Sequence, residues 1–264
     1  MSDPKFDDGI EGGVFVVTGG TQGIGEAGAR ALAAAGAAGL VITGRNAERG
    51  EAVRAQLAEL GTECAFVAAE LAEPDQCRAV IAEADRRFGR LDGLLNAAGI
   101  TDRGTIEDTS IELWDRIFAI NVRAPFLLMQ EAIRIMKREG TPGRIVNVIT
   151  MSSHGGQPFL TAYSASKGAL VTLTKNVAHA VRFDRIRVNG LNIGWSDTPG
   201  EHRIKAIEGA PPDWLEIGAR AQPSGRLIKP GDVALLSVYL LGTGSGVVTG
   251  SVIDYDQVVL GAYD

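Results

Sequence analysis

Cysteine is almost missing from this chain: Cys64 and Cys77 are the only two in 264 residues. They stand in neither a paired nor a metal-ligating spacing, which excludes a disulfide framework and a zinc site and points to a reducing, cytoplasmic setting. An excess of basic charge is also lacking. With 26 lysines and arginines against 32 acidic residues the formal charge is −6, and the cations are dispersed rather than gathered into a stripe, so no nucleic acid is expected as a partner. No apolar run reaches the roughly 18 residues that a membrane span needs, so no membrane partner is expected either. The opening MSDPKFDDGIEGG is acidic and has no apolar middle, unlike a secretory signal. Residues 1–12 are expected as an N-terminal arm whose Phe6 and Ile10 dock on a neighbouring surface. Internal repeats, coiled-coil heptads and low-complexity tracts are absent as well.

Glycine, in contrast, is plentiful, at 34 residues, and hydrophobic residues make up 45% of the chain. Short apolar runs at 13–20, 39–44, 63–70, 91–99, 143–150, 186–194 and 250–256 alternate with Ala-, Leu-, Glu- and Arg-rich stretches of helical spacing at 24–35, 46–60, 75–88, 110–138, 161–182 and 230–241. Strands that are apolar throughout suit a parallel sheet buried on both faces, with right-handed crossovers laying helices on each side. The expected fold is α/β: a Rossmann-like, doubly wound parallel sheet of about seven strands in a single domain spanning the whole chain. Residues 195–229 break the rhythm and are too long for an ordinary connection, so they are expected to form a lid over the site.

After the first strand comes TGGTQGIGEAGARALAAAGA, with Gly19, Gly23 and Gly25 where a strand must turn into a helix. Side chains at those positions would keep a pyrophosphate from the backbone N–H groups and the helix dipole, so the turn points to a dinucleotide site that also includes Thr21, Gln22 and Ile24. A carboxylate at position 44 would clamp the ribose 2′-hydroxyl of NAD. Gly44 stands there instead and Arg45 follows, a planar fork suited to a 2′-phosphate; NADP(H) is expected ahead of NAD(H). Further on, Tyr163 and Lys167 are four residues apart on one expected helix, so a lysine ammonium stands beside a phenol and is expected to lower its pKa.

The motifs TGxxxGxG at 18–25, NAAG at 96–99, INV ending at Val122, YSASK at 163–167 and RVNGLNIG at 187–194 occur together in order. Jointly they resemble the short-chain dehydrogenase/reductase superfamily, of the single-domain type of roughly 250 residues, over nearly the whole chain. The resemblance implies hydride transfer between a nicotinamide and a secondary alcohol or ketone, with Tyr163 as acid/base, Lys167 lowering its pKa and binding the nicotinamide ribose, and Asn121 holding a water in a proton relay. It implies that Asn96 supports the sheet and lines the adenosine ribose side, and it implies cofactor contacts from Ala97, Gly99, Gly194 and Thr198, and from Glu70 and Leu71 at the adenine, where the family usually carries an Asp. Ile193 replaces the usual proline before Gly194, and the family's DGG near the end reads DQV at 256–258. The family's substrate-binding serine falls on Thr150 when counted back from Tyr163; Ser152 takes the place if the loop is two residues shorter, and Ser153 is read as a loop hydroxyl. His154, Gln157 and Trp195, with Asp197, Glu201 and His202 of the lid, make a polar pocket mouth and suggest a sugar, polyol or hydroxy acid as substrate. A 3-oxoacyl-type ketone reductase and a non-catalytic dinucleotide sensor are the alternatives. The resemblance also implies a homo-oligomer, a tetramer or a dimer, with the tail VVLGAYD reaching towards a neighbouring subunit's site.

Overall fold

The computed structural model of the protein describes residues 9–261. Seven strands lie in one sheet, β1 (Val14–Thr18), β2 (Gly39–Gly44), β3 (Glu63–Ala68), β4 (Gly93–Asn96), β5 (Arg144–Val148), β6 (Arg187–Ile193) and β7 (Val252–Tyr255), in the order β3-β2-β1-β4-β5-β6-β7. Every pairing is parallel. Alternation along the strands divides the interior into two cores. Val14 and Val16 face α3 (Pro74–Phe88), α5 (Ala124–Glu139) and the end of α6 (Thr161–Ala180). Phe15 and Val17 face α1 (Gly23–Ala34), α2 (Ala47–Glu59) and α9 (Pro230–Leu241). Ile10, expected on a neighbouring surface, is fully buried in the second of these cores. Phe6 lies outside the described residues.

The order reverses at β1, which has β2 on one side and β4 on the other, so the chain leaves these two strand ends in opposite directions and opens a crevice beyond them. One expectation is corrected. The stretch 110–138 is not one helix: α4 (Ile111–Phe118) runs into a π turn at Ala119–Arg123 before α5 continues, with Asn121 at its centre. Within 195–229 two further helices form, α7 (Pro199–Ile207), capped by the Thr198 hydroxyl, and α8 (Trp214–Arg220). No helix among the described residues is long and apolar enough to cross a membrane.

Candidate active site

The crevice opens into a cleft of about 1290 Å³, and its cofactor end is built by the glycine turn. Gly19 and Gly23 adopt φ values of +66° and +57°, and a Cβ on Gly25 would meet the Gly19 carbonyl oxygen at 2.3 Å. Gln22, at the start of α1, offers no side-chain cap, so the N–H groups of the first turn are left for a ligand; Gly23, Ile24 and Gly25 line the cleft there. Thr18 holds the opposite wall, its Oγ1 accepting from the N–H groups of Ala97 and Ala98 at 3.1 Å each. This cradle admits backbone approach only where side chains are missing, which is what a dinucleotide pyrophosphate requires.

At the end of β2, a Cβ on Gly44 would lie 2.5 Å from the Thr21 hydroxyl, so no carboxylate fits there without displacing Thr21. Arg45 lies 3.7 Å from Glu70 across this end of the cleft, and both side chains are partly exposed. Arg49, one turn into α2, lines the same end and donates to the Gln22 amide oxygen. Sequence reading missed Arg49, because it is twenty-seven positions from Gln22 and the contact forms only when α2 is folded back on the glycine turn.

The catalytic end rests on α6, whose buried stripe Tyr163, Ser166, Lys167, Leu170, Thr174 and Ala178 follows the helical period and sets the phenol and ammonium at its upper end. Lys167 Nζ donates to the Val148 carbonyl at 2.9 Å and lies 6.0 Å from the centre of the Tyr163 ring. Burial pushes the Tyr163 phenol up to about 12, against a hydrogen bond with Thr150 and the charge of Arg103, which pull it down. Burial also lowers Lys167 to about 8. Desolvation dominates for both groups, and Thr150 is the largest opposing influence on the phenol.

Of the two candidate hydroxyls, Thr150 lies two residues beyond β5 and bears on Tyr163 while also accepting from Ser152 N–H at 3.3 Å, and Ser152 donates to the Gln157 amide oxygen at 2.5 Å in the following turn. Ser153 donates to Asn192 Oδ1 at 3.2 Å, away from the phenol. Asn121 sits one layer behind the cleft. It accepts from Ile100 N–H and donates to the Ile100 carbonyl at 3.0 Å each, and donates to Ser166 Oγ at 3.1 Å. The π turn aims this amide inward, close behind Gly99.

Thr21, Leu71, Ala97, Gly99, Gly194, Thr198, Gln157 and Trp195 line the cleft as the motifs lead one to expect, whereas Asn96, Asn121, His154, Asp197 and His202 do not, the last two being paired with each other and Asp197 also with Lys229. Asn96 is turned into the sheet, donating to Asn147 Oδ1 at 2.9 Å, while Asn147 donates to Thr174 at 2.9 Å; it braces β4 against β5 and α6. His154 points to the sheet edge, its Nε2 3.3 Å from Asp254 and 3.2 Å from Asn192, because the tight turn at Met151–His154 carries it past the pocket mouth. Val258 of the tail lines this chain's own cleft. Gln257, in place of a family glycine, ties the tail to the lid by accepting from Ser224 N–H at 3.0 Å and donating to the Arg226 carbonyl at 2.8 Å.

The short chain dehydrogenase family model matches residues 13–208. Among similar proteins, the cis-4-hydroxycyclohexanecarboxylate dehydrogenase of Sinomonas cyclohexanicum is 33% identical over 92% of this chain and 94% of its own. The NADP-dependent (R)-specific alcohol dehydrogenase of Lentilactobacillus kefiri is 32% identical over 97% of this chain and 98% of its own. The crystal structure of levodione reductase superposes with a TM-score of 0.87 at 29% identity, covering 94% of this chain and 97% of that one.

Proposed function

The chain belongs to the short-chain dehydrogenase/reductase family, NAD(P)-dependent oxidoreductases of alcohols and ketones, and from that premise we propose that it is an NADP(H)-preferring enzyme acting on a polar secondary alcohol or its ketone. The observation that carries this reading is one cleft with Thr150, Tyr163 and Lys167 at one end and the glycine cradle with Arg45 and Arg49 at the other. A nicotinamide held by this cleft would supply or accept the hydride. In reduction the Tyr163 hydroxyl donates its proton to the carbonyl oxygen as charge develops there, and the Thr150 hydroxyl donates a second hydrogen bond to the same oxygen. Lys167 stands behind the phenol as the next group in a proton path that continues to Asn121, whose side chain is engaged with Ile100 and Ser166.

The NADP(H) preference rests on the two guanidinium groups and on the crowding at Gly44. Replacing Arg45 and Arg49 together by alanine is expected to weaken NADPH binding by about 10- to 100-fold, the loss of two charge-assisted phosphate contacts, and to leave NADH binding nearly unchanged. Titration by nicotinamide fluorescence reads both. Equal losses for the two cofactors would remove the preference, and binding of either without turnover across sugars, polyols, hydroxy acids and ketones would remove the enzyme reading. The name of the Sinomonas relative favours a hydroxy acid within that set.

The buried lysine gives a pH prediction. Its pKa is lowered on folding, from an ordinary 10.5 to about 8, so the cost of burying the charge is fully present below about 8 and is relieved as the pH rises towards 10.5. Relative to a Lys167→Met variant, the cofactor-free protein is expected to gain roughly 3 kcal/mol in urea unfolding between about pH 7.5 and about pH 10.5. An unchanged difference would mean that Lys167 is already neutral or well solvated.

The proposal also includes a single-domain enzyme, a movable lid at 195–229, and a homo-oligomer. Assembly is supported by apolar side chains left exposed at Ile111, Trp114 and Phe126 on the α4–α5 rod and at Leu235 and Tyr239 on α9. A reducing, cytoplasmic setting is supported by Cys64 and Cys77, both free, buried and pushed up by desolvation to about 12 and about 11.

A further inference from the structure

We infer that Arg103 is the anchor for a substrate carboxylate, so that the cleft takes hydroxy and oxo carboxylates rather than neutral alcohols and ketones; this rests on the oxidoreductase reading. Arg103 belongs to the loop after β4 and lines the catalytic end of the cleft. Its guanidinium is 5.6 Å from the centre of the Phe159 ring and three-quarters shielded, which limits its rotamers before any ligand arrives. One nitrogen is engaged: Nε donates to Glu208 Oε1 at 2.9 Å. Among the described residues the terminal nitrogens make no hydrogen bond, and Nη2 forms a looser ion pair with Glu201 Oε1 at 3.7 Å. A guanidinium whose Nε is tied and whose terminal nitrogens make no hydrogen bond presents the parallel N–H pair that a carboxylate accepts.

The neighbouring carboxylates do not need this fork. Glu208 Oε2 accepts from Lys205 at 2.7 Å, and Glu201 Oε1 accepts from Trp195 Nε1 at 2.9 Å with Lys205 at 3.9 Å. Both acids are thus held within the lid, by α7 and Trp195. Arg203 and Lys205 line the same cleft as Arg103, with Lys205 paired to Glu201 and Glu208. The charges of Arg103 and of Glu201 both reach the Tyr163 hydroxyl, with opposite effects, which places the anchor within Coulomb range of the group that would meet the reacting oxygen.

The test is a panel of linear and cyclic hydroxy carboxylates, each paired with its methyl ester, turned over by the full chain with the tighter-binding oxidised cofactor. The parent is expected to prefer the acids. In Arg103→Ala, kcat/KM for the acids should fall roughly 100-fold, mostly through KM, while the esters change by no more than about threefold, so the acid-to-ester ratio collapses. Arg103→Lys should recover part of the ratio, and Glu208→Gln should leave it standing. Equal losses for acids and esters in Arg103→Ala would make Arg103 a brace for the lid and overturn the anchor. Parent turnover of esters or neutral alcohols without preference for the acids would do the same and leave the oxidoreductase reading intact. Bound cofactor with no turnover of any compound would remove both.

Discussion

Replacing Tyr163 by phenylalanine is expected to lower turnover by about a thousandfold or more, with cofactor affinity within a few-fold of the parent. Tyr163 is buried, and phenylalanine keeps its ring packing while deleting the hydroxyl. The phenol is pushed up to about 12 by burial, so near neutrality it is the protonated donor, the form needed to reduce a carbonyl. In the oxidative direction it must first lose that proton, and the hydrogen bond from Thr150 is the largest influence favouring the phenolate. Thr150→Ala should therefore cost more than Ser152→Ala, whose hydroxyl is engaged with Gln157. Steady-state rates of the three variants decide it. More than about a tenth of the parent rate in the phenylalanine variant would take proton transfer away from Tyr163.

The second large effect is expected from one added methyl group. Gly25→Ala would place its Cβ 2.3 Å from the Gly19 carbonyl oxygen and 2.9 Å from that of Thr18, both fixed main-chain atoms rather than yielding side chains. Such a clash forces the first turn of α1 away from β1, at a cost of about 1–3 kcal/mol in stability. It also destroys the cradle, and binding of either nicotinamide cofactor should fall by roughly 100-fold or more, since the backbone N–H groups no longer converge. Gly231 at the start of α9 has nothing within 4 Å of its added Cβ and serves as the control. Calorimetric binding of NADPH and NADH to both variants tests this; retained affinity in Gly25→Ala would show that the turn adapts and that the cradle is not the pyrophosphate site.

What could be read from the chain beforehand was whatever depends on local pattern. Continuous apolar runs and the 3.6-residue period located the strands and most helices, because a parallel sheet covered on both sides demands them. The glycine turn and the Tyr163–Lys167 pair were legible for the same reason: each is a short segment whose geometry follows from spacing. Residues joined only by folding were not legible. Arg49 meets Gln22 across 27 positions and Arg103 meets Glu208 across 105, and neither carries a motif. Asn96 supports the sheet through Asn147 but does not reach the cleft, and His154 was drawn towards the cleft by its neighbours in sequence, yet one tight turn carries the imidazole to Asp254. The electrostatics of the phenol also escaped sequence reading, since desolvation depends on depth and a spacing of four residues says nothing of depth.

The π turn at Ala119–Arg123 amounts to one surplus residue in an otherwise continuous rod, and a surplus residue rotates everything after it by roughly 100°. Before the turn, Leu113 and Ile117 lean on Ile100 and Ala162, directly beneath the phenol-bearing helix. Beyond it, Leu127, Leu128 and Ala132 seat in the large core beside α3 and the central strands. The insertion thus works as a phase shifter, allowing a single rod to answer to two surfaces that a regular helix could not face together. Its lineage-level consequence is an asymmetry between kinds of mutation: amino-acid exchanges around Asn121 disturb one contact at a time, whereas loss of one codon would mis-set an entire flank of the molecule.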